Sequence, residues 1–350
     1  MLSRPSQLVT LSAGSIAAIG AYTLFALSAP LTKWLIVNAE NLGTHGGSAV
    51  SFCNLLTIGN LAAAAVVGLY SHGRRLVGNR HPPLAEGWRN LDRLGAASLI
   101  GTSLLAVVTP AMFFAAISRT SVANVILISR TGPIFYAVLA SVVIGQTIQR
   151  RQWFGYGWIV TAAAIAMIAT SGSMIGLGDA MALTAALGAA MVSIVGKPAL
   201  RQMGLSSFVL YRNLIAAAVF ATIALTLFGP SHFADLTLPA VVGGVAIYGV
   251  LVVGLAQLLW FYAITHVDPK VVGGWSFISP LTAVIVTATV LGEHPHWAQW
   301  LALSLVLMGM AIATGWRWQT GMDYRRKALF FLRRNTTPTT RTLRHPFVAQ

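Results

Sequence analysis

Acidic side chains are scarce in this chain: eight Asp and Glu stand against 23 Lys and Arg in 350 residues. Charged residues of either sign make up only 9%, where a soluble domain carries about 25%, so an ordinary water-exposed surface is excluded. The one cysteine, Cys53, lies inside an apolar run, which leaves no disulfide framework and no cysteine-based metal site. His266, His294 and His296 fall in loops, and His294-Pro295-His296 has too few ligands around it for a metal. No Asp or Glu sits deep in an apolar run, because Glu40, Asp179, Asp235, Asp268 and Glu293 all fall at run ends or in loops. A membrane enzyme acting on lipids would need such carboxylate or histidine clusters, so the chain is not expected to be an enzyme or to hold a metal or cofactor.

What is abundant is apolar sequence, at 56% of the chain. Runs of about 20 residues recur along it, each long enough to cross a bilayer about 30 Å thick. The expected fold is an all-α polytopic membrane protein with ten transmembrane helices. They fall at roughly 13–37, 47–70, 94–117, 121–145, 151–171, 178–199, 206–228, 238–264, 270–291 and 297–316. With the N-terminus in the cytoplasm, nineteen of the 23 basic residues lie on the inner side, and the outer loops hold only Arg119. That bias orients the chain in the inner membrane with both termini cytoplasmic. It also explains the net charge of +15 without nucleic acid. The tail, residues 317–350, is basic and reads as a topology anchor attracted to anionic lipid.

Residues 114–153 are written a second time, 147 positions on. Phe114-Ala-Ala-Ile117 falls on Phe261-Tyr-Ala-Ile264, Ser129 on Ser276 and Pro133 on Pro280. Further on, Gly145 falls on Gly292 and Gln152-Trp153 on Gln299-Trp300. Ten of these forty positions are identical without a gap. A fainter correspondence pairs Lys33 with Lys197 and Asn54 with Asn213. Five spans per half give the halves opposite orientations, so two inverted five-helix repeats are expected, at 13–171 and 178–316. Such repeats mark transporters.

The ordered motifs Ser279-Pro280-Leu281, Leu291-Gly292-Glu293 and Gln299-Trp300, with weaker copies in the first half, resemble the EamA-type branch of the drug/metabolite transporter superfamily. The first half departs from the pattern, with Gln146 in place of the usual Glu and with Arg130 inside a span. The resemblance covers about residues 13–316. It implies a ten-helix exporter or exchanger of small metabolites with a central cavity between its halves.

Arg130 stands near the middle of the fourth span, where a charge costs at least ~2.5–3.5 kcal/mol and points to a bundle interior, a water-filled cavity or a functional partner. A guanidinium there suits bidentate contact with an anionic group. The alternative is a structural Arg satisfied by helix carbonyls. Pro133 and Pro280 remove the helical donors to the carbonyls of Ser129 and Ser276, so both serines are expected to line a cavity. Pro30 and Pro110 mark further bends or hinges. Gln257, Trp275 and Tyr248 complete the expected substrate-binding set, while Trp153, Trp158 and Trp300 suit the interfacial belt. Arg212 is expected to snorkel to the inner surface, Glu293 to pin a helix end, and Lys33 and Lys197 to anchor span ends.

The expected function is alternating-access export or exchange of an amino acid or organic anion. Drug or cation efflux by the same fold, and a scaffold or sensor acting through the basic tail, are the alternatives. The expected partners are a small-molecule substrate and the lipid bilayer, with a homodimer as one option.

Overall fold

Proline and glycine decide where the helices stop. The computed structural model describes residues 12–39, 50–76, 84–145, 147–171, 176–267 and 275–315, and among them all regular structure is helical. The first span is cut in two: α1 (Ala13–Ala26) ends at Leu27, and α2 (Ser28–Asn38) carries Pro30 in its first turn. Next come α3 (Phe52–Leu76), the short α4 (Leu84–Arg89) and α5 (Arg93–Ile117), which holds Pro110 in its interior. The fourth span is also cut, into α6 (Val122–Ser129) and α7 (Gly132–Ile144). Arg130 and Thr131 occupy that break, and their N–H groups reach back only three residues, to Leu127 O (3.1 Å) and Ile128 O (3.0 Å). Pro133 follows and cannot donate to the Ser129 carbonyl.

After α8 (Arg150–Ser171), α9 (Leu177–Val195) and α10 (Lys197–Met203) are separated at Gly196, again just ahead of a proline, Pro198. Then come α11 (Leu205–Leu227), a 3₁₀ stretch (Pro230–Thr237) and α12 (Pro239–Ile247). A π-helical stretch (Tyr248–Leu255) runs on into α13 (Ala256–His266). Two last helices, α14 (Ile278–Val290) and α15 (Trp297–Thr314), close the series.

Eight helical stretches among the described residues are long and apolar enough to cross a membrane, and α14 is a shorter apolar helix. The chain is a multi-pass membrane protein. It divides into two units, Met1–Thr314 and Gly315–Gln350. Expectations for the extreme N-terminus, for Gln146, for the start of the ninth span and for the basic tail lie outside the described residues.

The helices pack in pairs: α8 along α15, α3 along α11, α5 along α9 and α1 along α13. Where α8 crosses α15, a Cβ on Gly309 would sit 2.6 Å from the Gly155 carbonyl oxygen and 2.8 Å from Ile159 Cγ1. Only glycine lets the two backbones meet so closely, the usual device of helix packing in lipid.

Local geometry follows the 147-residue register. Gly145 and Gly292 both end their helices in the left-handed region, at φ 71° and 64°, which favours glycine. The Gln149 N–H donates to Gln152 Oε1 at 2.8 Å, and at the matched positions the His296 N–H donates to Gln299 Oε1 at 2.9 Å.

Outside the membrane, Asp92 caps α5. Its Oδ1 accepts from the Gly95 N–H at 2.6 Å and from Gln202 Nε2 of α10 at 3.0 Å. Those two bonds, the Gly95 one first, hold its carboxyl below the usual carboxylate range. A depressed pKa means that the cap stabilises the fold above the unfolded carboxyl value of about 3.9 and fades as pH falls through the folded value. Lowering the pH from 6 to 3 is therefore expected to cost wild type more melting temperature than Asp92→Asn. An equal loss in both would remove Asp92 from that account.

Candidate functional site

The breaks in the first and fourth spans converge on an interior cavity of about 490 Å³, a size suited to a small molecule. Phe25 at the end of α1 and Ser28 and Thr32 of α2 flank the first break. Ser129 and Gly132 flank the break in the fourth span, and Pro110 of α5 adds its own interruption. Tyr248, Val252 and Val253 come from the π-helical stretch. Irregular backbone at membrane depth is tolerated only against protein or a cavity, and here it meets one.

The polar part of the wall is built on α11. Arg212 and Asn213 both line the cavity, opposite a run of small α9 residues that includes Ala185 and Ala189. Arg212 Nε is buried without a hydrogen-bond partner, as are Asn213 Oδ1 and Thr109 Oγ1. The Asn213 amide is oriented by its Nδ2, which donates to Gln257 Oε1 at 3.3 Å, while Tyr248 Oη and Ser28 Oγ lie 3.4 Å apart. The described residues that line the cavity include no Asp or Glu, so nothing in the wall neutralises Arg212. A buried donor or acceptor left unpaired costs about 1–3 kcal/mol, more for a charged group. Unsatisfied groups around a cavity are groups that a ligand can satisfy.

Of the residues expected from the sequence, Ser129, Gln257, Tyr248 and Pro110 line this cavity, whereas Arg130, Ser276 and Trp275 lie outside its wall. Arg130 sits in the break of the fourth span and reaches the other half, where its Nη2 donates to Ser279 Oγ at 3.3 Å. Its Nε is buried and unpartnered, and so is Trp275 Nε1. Trp275 packs against the cluster of Ala17, Ala18 and Ala263, and Ser276 lies in the turn leading into α14. Pro30 and Pro280 are buried in first turns, and Pro133 is exposed at the second position of α7.

Arg212 corrects the sequence reading. It faces the cavity instead of snorkelling to the surface. The signal available was its neighbour Asn213, since an Arg-Asn pair within a span is a polar cluster that lipid does not tolerate. Asn60 and Thr109 line the cavity as well and carried no such signal.

The remaining polar groups tie helix ends together. Lys33 Nζ donates to Ile117 O at 3.3 Å, and Lys197 Nζ donates to Tyr136 Oη at 3.0 Å. Asp179, 1% exposed, accepts from Thr120 Oγ1 at 3.3 Å and Asn124 Nδ2 at 3.4 Å. Gln299 Nε2 donates to Asn124 Oδ1 at 2.9 Å and to Ser121 Oγ at 3.0 Å. Glu293 Oε2 accepts from the Val122 N–H at 3.2 Å and so caps α6, as a pin for a helix end should. Among the described residues, no group of three or more His, Cys, Asp or Glu could hold a metal ion.

A bundle of apolar spans, interrupted where it surrounds a cavity with a few polar groups in its wall, has the build of a membrane transport protein. The chain belongs to the EamA-like transporter family, whose model matches residues 12–168 and again 176–315. The uncharacterized transporter sll1164 of Synechocystis sp. is 27% identical over 310 residues, which cover 84% of each chain. The uncharacterized inner membrane transporter YedA of Escherichia coli K12 is 25% identical over 243 residues, covering 68% of this chain and 74% of YedA. A solved crystal structure superposes with a TM-score of 0.56 over 87% of this chain and 99% of its own, at 18% identity. At that identity the likeness shows the fold alone.

Proposed function

We propose that this protein exports or exchanges a small organic anion or amino acid by alternating access, with the substrate carboxylate held by Arg212. One observation carries this reading: a buried guanidinium lines the cavity with an unpartnered Nε, and the described residues of the wall include no carboxylate. Ser129, Gln257 and Tyr248 frame the rest of the substrate, and aromatic faces at Phe25, Phe113 and Phe114 accept its apolar part. Arg130, Ser276 and Trp275 join the path when the halves rock and the Arg130–Ser279 contact opens. Pro30, Pro110, Pro133 and Pro280 supply the bends about which that motion turns.

The same reading places ten spans in two inverted repeats, with both termini on the cytoplasmic side of the inner membrane. Its support is the double match to one family model and the pairing of the helices. If each span is exchanged for the one five later, the contact of spans 3 and 6 becomes that of 8 and 1. The contacts of spans 2 with 7 and 5 with 10 map onto themselves. That is the behaviour of a pseudo-two-fold axis.

Counterflow into liposomes tests the substrate class. Purified protein is loaded with pooled unlabelled amino acids, organic acids, nucleosides or quaternary amines, and uptake of the matching label is measured. A carboxylated pool is expected to move. Movement of the quaternary amines alone would replace this reading by cation efflux.

A further inference from the structure

Among the described residues, a second concave surface is lined by α8. A groove of about 470 Å³ runs between Trp153, Phe154 and Trp158, past Gly157 to Thr161. Phe154 is 74% exposed, and a Cβ on Gly157 would meet nothing within 4 Å, so the floor of the groove is open. The Trp153 ring is held upright, edge-on to buried Tyr156, with centroids 6.4 Å apart and planes at 78°. One turn earlier, the exposed Arg150 and Arg151 begin the helix. Eleven helical steps separate Arg150 from Thr161, about 16 Å. That matches one leaflet of hydrocarbon, about half of the 30 Å core.

An interfacial aromatic belt by itself does not call for this arrangement, and the internal repeat supplies the comparison. At the matched positions of α15, Trp153 has Trp300, so the belt residue is common to both copies. Arg150 and Arg151 are replaced by Trp297 and Ala298, Phe154 by Leu301, Gly157 by Ser304 and Trp158 by Leu305. Of the two copies, only α8 has the arginine pair, the glycine floor and an indole one turn beyond the belt residue, at Trp158; the other indole of α15, Trp297, stands where α8 has Arg150.

We propose that this groove binds one anionic phospholipid, with its phosphate on Arg150 and Arg151 and one acyl chain laid between Trp153 and Trp158 over Gly157. Arginine forks suit phosphate oxygens, and an acyl chain fits a slot one leaflet deep. A second copy of this chain fits poorly, because a two-fold contact across this face would bring the two arginine pairs together.

Tryptophan quenching by phospholipids brominated on the acyl chain tests this on purified full-length protein in detergent. Brominated phosphatidylglycerol is expected to quench at a mole fraction at least tenfold lower than phosphatidylcholine with the same chains. Trp153→Phe/Trp158→Phe should remove that quenched component. Arg150→Gln/Arg151→Gln should erase the tenfold preference, and Gly157→Leu, which fills the floor, should erase it with both arginines in place. Equal quenching by the two lipids would mean annular lipid only. A preference that survives either the arginine or the glycine substitution would also overturn the proposal.

Discussion

Arg212→Gln is expected to reduce carboxylate counterflow roughly 100-fold while leaving the protein as stable as wild type or more so. A hydrogen bond to a charged group contributes about 1.5–3 kcal/mol, and each 1.4 kcal/mol is a factor of ten, so losing a two-pronged contact near the upper end of that range gives the 100-fold figure. The stability half of the prediction separates function from structure. A guanidinium inside a span is a cost of a few kcal/mol, and no protein group partners Arg212 Nε. An arginine that held the bundle together would leave a less stable protein when replaced. An arginine kept for the substrate leaves a folded protein that does not transport. Arg212→Lys retains the charge without the fork and should recover part of the flux. Loss of folding in Arg212→Gln, or full flux, would contradict this assignment.

Gly309→Ala is expected to be a strongly damaging single-methyl change. The added Cβ would lie 2.6 Å from the Gly155 carbonyl oxygen and 2.8 Å from Ile159 Cγ1. The first of these is backbone and cannot rotate away. From the opposite side, a Cβ on Gly155 would lie 2.6 Å from the Ala313 nitrogen, so neither helix can yield without separating. Forcing extra volume into a packed contact costs about 1–3 kcal/mol, and more when backbone must move. A fall in melting temperature on the order of 5 °C follows, measured by thermal unfolding in detergent. Gly157→Ala on the same helix adds a methyl to open space and serves as the control. Similar melting temperatures for the two variants would remove the α8–α15 crossing from the account.

The parts of this fold that could be read in the sequence are those that proline, glycine and glutamine dictate locally. Pro133 announced the break that exposes Ser129 to the cavity. The repeat matched Gly145 with Gly292 and Gln152 with Gln299, and the structure gives each pair one shared role, a left-handed helix end and a backbone bond. Each of these acts within four residues, so the sequence carries the information by itself. The orientation of a side chain about a span is different. In helices apolar on every side, no period distinguishes the face toward lipid from the face toward a cavity. Depth along the span is then the only guide, and it singles out Arg130 near the middle while assigning Arg212, nearer the inner end, to snorkelling. Packing separates them: α11 turns Arg212 into the cavity, whereas the break after α6 turns Arg130 toward Ser279 of the other half. The π-helical stretch at Tyr248–Leu255 has no proline to announce it. It widens the helix where Tyr248 and Val252 line the cavity, a consequence of tertiary packing.

The sign of the cavity's field can be measured before any substrate is known. Cys53, the only cysteine, is replaced by alanine and Thr109 of the cavity wall by cysteine. The purified protein in detergent is then treated with methanethiosulfonates of similar size and opposite charge. Taking the ratio of the two rates cancels any effect of the site on the thiol itself. An unneutralised Arg212 predicts that the anionic reagent reacts about tenfold faster, as a favourable interaction of about 1.4 kcal/mol would give. Arg212→Gln in the same background should bring the ratio toward one. A faster cationic reagent with Arg212 in place would contradict an anion-binding cavity.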